Sequence, residues 1–281
     1  MAMRQDYCLN FCEMIQNLYE KYVNFDDAIE HCLKEEGEEN CQRIYFGSSF
    51  CGQHFLHITN KIVSSLAEAC MRKGIKLTLV IPTFSERNLD RGKDKIKEFA
   101  AFCENCLDEM TVNDFGMLDF VSKNYQVNLN LGRLFMKDYR DPRYEQYFHQ
   151  ILAPKIFTGY LLNLLEQYPI TGMEFDPTHE GIDFSAKPEK IQIGIHLPYC
   201  YMTVGHICEF ASIPVELEKK FRPNIQCQNE CMKNLIRYHF DDEYKWMRLG
   251  KTIYFWNKSC KIVGTDQIRV IYFPYKWEVA Q

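Results

Sequence analysis

A chain of 281 residues with 46% hydrophobic and 25% charged side chains has ordinary globular proportions and promises a sizeable core. Its net charge of -5 argues against tight nonspecific binding to nucleic acid. There is no apolar run of the roughly 18 residues a membrane span needs, and residues 1–7 carry no charged-then-apolar leader, so the expectation is a cytoplasmic chain with no membrane span. In that compartment thirteen cysteines, an odd number, read as thiols or metal ligands and not as a disulfide framework.

In chain order, β-branched or aromatic runs predict strands at Arg43–Phe46, Leu77–Ile81, Met110–Val112, Gln126–Leu131, Gly172–Phe175, Ile191–His196, Thr252–Trp256 and Ile268–Phe273. Between them, helical periodicity predicts Ile58–Lys73, Lys93–Cys106 and Lys155–Tyr168. Strands alternating with helices mean parallel βαβ units, and eight of them predict an α/β fold of the TIM-like (β/α)8 type, with a doubly wound open sheet as the competitor. The sequence leaves open whether that barrel is regular and fully closed. Residues 1–281 read as a single barrel domain, with 200–235 as a cysteine-containing segment.

That segment carries Cys200, Cys208, Cys227 and Cys231 in polar surroundings, and Cys51 follows the first counted strand. Thiolates are soft ligands that select iron-sulfur clusters, zinc or Cu(I), and two of them on one turn chelate a centre at little ordering cost. Ordinary buried cysteines are the alternative. In a barrel, strand C-termini share one mouth, so Cys51 and the distant array could meet there. The pair Cys103 and Cys106 falls inside a helix-period stretch and reads as core packing.

Other polar residues fall at strand ends. His196 could relay a proton, or be structural. Asn113 and Asp114 could orient a substrate hydroxyl, or cap the next helix. Glu174 and Asp176 alternate along one strand and share a face, as an acid and base pair or as solvated turn residues. Arg133, Arg140 and Arg143 form a cationic group suited to carboxylates.

Val112-Asn113-Asp114-Phe115-Gly116, Leu131-Gly132-Arg133-Leu134 running into Arg140-Asp141-Pro142-Arg143, and His196-Leu197-Pro198 leading to Cys208, Cys227 and Cys231 together resemble the collagenase-like peptidase family, the thirty-second of the unclassified peptidase families. The likeness spans roughly Arg43 to Phe273 and is nearest to the short members of oxygen-independent ubiquinone biosynthesis. It implies a TIM-like barrel holding a four-iron four-sulfur cluster on four cysteines. It also implies oxygen-independent hydroxylation of a small aromatic or quinone-precursor substrate, with prephenate as oxygen donor and a paralogous partner subunit. Among the strand-end residues, His196, Asp114 and Glu174 are the catalytic candidates, and Asn113, Arg133 and Asp176 the substrate-binding ones.

Two ligand patterns occur in such proteins. One would use Cys200 with Cys208, Cys227 and Cys231; the other replaces Cys200 by Cys51 in the setting Tyr45-x-Gly47-x-x-x-Cys51. The second is favoured, because Cys200 stands one residue too far from Cys208, and both remain open. Alternatives to the whole reading are a noncatalytic subunit stabilised by an iron-sulfur cluster or zinc, and a peptidase. Binding of nucleic acid is not expected.

Overall fold

The computed structural model describes residues 4–22, 24–136, 157–177, 182–222, 225–238, 245–257, 262–265 and 267–274. Arg140 and Arg143, singled out above, lie outside them.

Eight parallel strands close into a barrel: β1 (Arg4–Asn10), β2 (Arg43–Gly47), β3 (Lys76–Ile81), β4 (Leu107–Val112), β5 (Asn128–Leu131), β6 (Ile170–Phe175), β8 (Gln192–Leu197) and β14 (Gln267–Tyr272). Closure is complete because β1 pairs with β2 on one side, Leu9 beside Ile44, and with β14 on the other, Leu9 beside Tyr272. The predicted strand set is corrected by one addition and one removal. Residues 4–10 form a barrel strand that the sequence reading left uncounted, and Thr252–Trp256 is not in the barrel at all.

The latter stretch is β12, part of a four-stranded antiparallel sheet ordered β10 (Ile236–Tyr238), β11 (Trp246–Leu249), β12, β9 (Tyr199–Val204). All four strands are inserted between β8 and β14, where a regular barrel would place a crossover helix. A β-branched and aromatic run announces a strand but not the sheet it joins, which is why the count of eight came out right with one member wrong. A two-strand ribbon of β7 (Ile182–Asp183) and β13 (Ile262–Val263) completes the sheets described.

The helices are built from ordinary local signals. α1 (Ile15–Lys21) and α2 (Phe25–Glu36) follow β1; Asn24 caps α2 by accepting from the Asp27 N–H, and Gly37 ends it in the left-handed region at φ 73°. α3 (Gly52–His57) and α4 (Asn60–Lys73) follow β2, with Thr59 between them capping α4. α5 (Leu89–Phe102), α6 (Phe115–Asn124) and α7 (Gly159–Gln167) cover the next strands, each burying one face against the sheet.

The barrel interior is unusually polar, and the period of two in each strand explains it. The Arg269 guanidinium makes two hydrogen bonds to the Glu109 carboxylate at 2.8 and 3.0 Å. The same carboxylate accepts from Thr78 and Asn130. Glycines at the same level make room: a side chain at Gly194 would stand 2.7 Å from Ile271.

Candidate metal centre at the barrel mouth

Gly47 ends β2 at φ 113°, a conformation open to glycine, and a Cβ there would overlap the Val80 carbonyl oxygen. The chain therefore turns sharply into Ser48–Cys51. The Ser48 hydroxyl accepts from the Cys51 N–H at 3.0 Å, and the Glu13 carboxylate accepts from the Ser49 N–H at 2.8 Å. This loop presents the half-buried Cys51 at the N-terminus of α3.

The other thiols arrive from the segment between β9 and β10. Cys208 precedes a 3-10 turn, Phe210–Ser212, whose Phe210 and Ala211 N–H groups donate toward its sulfur. Asn229, left-handed at φ 61°, sends its N–H to the Cys227 sulfur at 3.3 Å. Cys231 sits in a second 3-10 turn, Glu230–Met232, tucked against the left-handed Gly250. Helix α1 holds the pieces together. Gln16 donates to the His57 carbonyl at 2.8 Å and accepts from the Asn229 side-chain amide at 3.1 Å, while Asn17 donates to the Met232 carbonyl at 3.3 Å.

Cys51, Cys208, Cys227 and Cys231 thereby line one cavity of about 290 Å³, together with Glu13, His54, Asn88, Arg222 and Thr252. Burial raises all three thiols of the segment, Cys227 to about 12, and each of the three also feels the Cys51 thiol. Cys200 does not join them. It is fully buried in β9, opposite Phe255 in β12 and packed on Trp246. Among the described residues no group of three or more His, Cys, Asp or Glu side chains is gathered as tightly as a single metal ion requires.

The remaining candidates lie deeper. Glu174 points into the barrel, accepting from Thr111 at 2.5 Å and paired with His196 Nε2 at 2.8 Å. Burial raises the Glu174 carboxyl to about 8 and drives the His196 imidazole well below its usual range, so the pair is neutral near pH 7. His196 Nδ1 is buried with no hydrogen-bond partner among the described residues. Arg133 is buried too, clamped two-handed on Asp176, donating to the Tyr199 carbonyl and stacked near the rings of Phe50, Tyr201 and Tyr254.

Neither Glu174 nor Asp176 is a solvated turn residue, and the two carboxylates do not face each other as an acid and base pair: one meets His196, the other Arg133. Asn113 spends its amide on the Ile81 carbonyl and the Leu134 N–H. Asp114 caps α6, accepting from the Met117 N–H at 2.7 Å.

No family model, curated protein or solved structure matches this chain. Among the described residues, no helix is long and apolar enough to cross a membrane.

Sequence reasoning passed over Glu13, which lines the cysteine cavity and lies on the same closely packed group as His196 and Arg133. Its enclosed position raises the carboxyl, against the hydrogen bonds from Ser49 and Ser48 that lower it. Nothing local marks it in the sequence, since its neighbours arrive from β2. Arg269 had a visible signal, the lone charge in the otherwise apolar run Ile268–Tyr272, whereas Glu109 stands beside Asp108 and no such contrast marks it.

Proposed function

We propose that Cys51, Cys208, Cys227 and Cys231 hold a four-iron four-sulfur cluster, and that the chain takes part in the oxygen-independent hydroxylation of a small aromatic or quinone-precursor substrate. The observation that carries this reading is that four thiols drawn from residues 51 to 231 border one cavity, while Cys200 packs elsewhere. The donor chemistry fits as well. Backbone N–H groups aimed at Cys208 and Cys227 are the hydrogen bonds that set the potential of a thiolate-bound cluster. A tetrahedral zinc ion at about 2.3 Å from each sulfur is the alternative occupant of the same four thiols.

When bound, the cluster supplies one-electron chemistry at the cavity wall. The chain's own residues supply the rest. Glu13 offers a carboxyl held toward its protonated form, and Asn88 and Thr252 offer polar groups to a substrate oxygen. Arg222 lines the same space and provides a cation for an anionic substrate group. The family resemblance of the Tyr45-to-Cys51 and Cys208-to-Cys231 motifs points to the same chemistry. Exposed Ile213, Leu217 and Phe221 on the cysteine segment favour a role shared with a paralogous partner subunit.

A second reading, a noncatalytic cluster-bearing subunit, draws on a separate observation. His196, Glu174, Arg133 and Asp176 are paired among themselves and none lines the cysteine cavity. No observation favours a peptidase.

The deciding experiment is anaerobic purification with iron and sulfide quantitation of the wild type, Cys51→Ala and Cys200→Ala. We expect about four irons per chain in the wild type and in Cys200→Ala, with loss in Cys51→Ala. A colourless protein that takes up only zinc would overturn the reading. With cluster content matched, Glu13→Gln then separates the two roles: lost hydroxylation favours catalysis in this chain, retained hydroxylation the noncatalytic subunit.

A further inference from the structure

The pair Cys103 and Cys106 lies at the end of the barrel opposite the cysteine cavity, immediately before β4 begins at Leu107. Helical periodicity carried both residues inside a helix, but α5 stops at Phe102 and Cys103 is its C-cap. The Cys106 N–H donates to the Cys103 carbonyl at 2.8 Å, closing a turn over Cys103–Cys106, and the Leu107 N–H donates to the same carbonyl at 2.7 Å. The Leu77 N–H, donating to the Cys106 carbonyl at 2.8 Å, pins the turn to β3.

This geometry is already close to that of a disulfide. A hydrogen bond from residue i+3 back to residue i holds the end Cα atoms within about 7 Å, and a disulfide spans Cα separations of about 4.4–6.8 Å. The two thiols influence each other: their interaction pushes the Cys103 thiol up and the Cys106 thiol down, with burial raising Cys103 further.

The two cysteines also differ in access. Cys103 is fully buried, Cys106 is half-buried, and the intervening Glu104 and Asn105 are exposed. Cys106 leans on α4, its sulfur 3.9 Å from the Ala67 carbonyl, and Cys70 of the same helix is buried nearby. Cys8, Cys12, Cys32 and Cys41 are buried with their thiols raised by burial, so they compete poorly as nucleophiles.

We propose that Cys103 and Cys106 form a thiol-disulfide exchange site that takes a small-molecule disulfide as oxidant, with Cys106 the attacking residue and Cys103 the resolving one. The Cys106 thiol gives its proton to water and the thiolate attacks one sulfur of the small disulfide. A mixed disulfide forms and the first small thiolate leaves. Cys103 then loses its proton to that thiolate and attacks the Cys106 sulfur, which releases the second small thiolate to be protonated by solvent. Two protein thiols are oxidised to one disulfide and one small disulfide is reduced to two thiols.

The test is incubation of the full-length protein with oxidised glutathione, followed by alkylation and peptide mass mapping. In the wild type the peptide bearing both residues loses two hydrogens, takes up no alkyl group, and recovers its thiols with dithiothreitol. Cys103→Ser traps a single glutathionyl group on Cys106, whereas Cys106→Ser leaves Cys103 unmodified. If both cysteines stay alkylatable in the wild type, or if either is found linked to Cys70, the proposal is overturned. The map reads this peptide alone, so its outcome is independent of whether the cavity thiols hold a cluster.

Discussion

Single residues fix the mouth of this barrel through sterics more than through charge. Gly47 is the clearest case, because its left-handed backbone and the overlap any Cβ would make with the Val80 carbonyl both demand glycine. Gly47→Ala should therefore cost roughly 2–3 kcal/mol in urea unfolding and misplace Cys51; an unchanged midpoint would contradict this account. Asp114 illustrates a residue whose structural job was readable beforehand. An aspartate before a helical run is an N-cap signal, and Asp114→Ala should cost about 1 kcal/mol, while Asp114→Asn retains most of the capping. Arg133 and Asp176 were equally visible as residues, yet their partnership was not, since it joins the ends of β5 and β6 across 43 positions of sequence.

Strands and loops explain where the polar and the thiol groups go. Alternation along β4 and β14 turns Glu109 and Arg269 into the barrel, where Tyr45 and Gln192 also bond the guanidinium. Removing one partner of such a buried pair strands the other charge, so Glu109→Ala should lower stability by about 3–5 kcal/mol; a loss under 1 kcal/mol in a denaturant titration would show the network to be dispensable. The inserted sheet works differently. β9 and β12 lay Tyr201 and Tyr254 over Arg133 and close the top of the barrel, leaving the cysteine segment to wrap the side where Cys51 emerges. Periodicity predicted a strand at Thr252–Trp256 because pattern and composition are the same in a barrel strand and a capping strand. What differs is the partner, and partners are nonlocal.

At the scale of the molecule, burying ionisable groups inside the barrel makes stability depend on pH. Glu174 has a folded value near 8, above its ordinary 4.5, so the folded state binds the extra proton between those values and stability falls as pH rises through that window. From pH 6 to 9 this group alone accounts for a loss of up to about 3 kcal/mol. In Glu174→Gln, where the amide can still donate to His196 and accept from Thr111, thermal melts should lose that slope; an identical slope in wild type and variant would rule Glu174 out as its source. The sequence by itself determined the α/β class, most of the strands, the capping option at Asp114 and the list of thiols, because periodicity, capping and ligand softness are properties of neighbouring residues or of residue type. Only the tertiary structure decided that residues 4–10 close the barrel, that Cys51 and not Cys200 stands with Cys208, Cys227 and Cys231, and that Glu174 meets His196. Each of those depends on which strand ends are brought side by side, and that is set by packing across the whole chain.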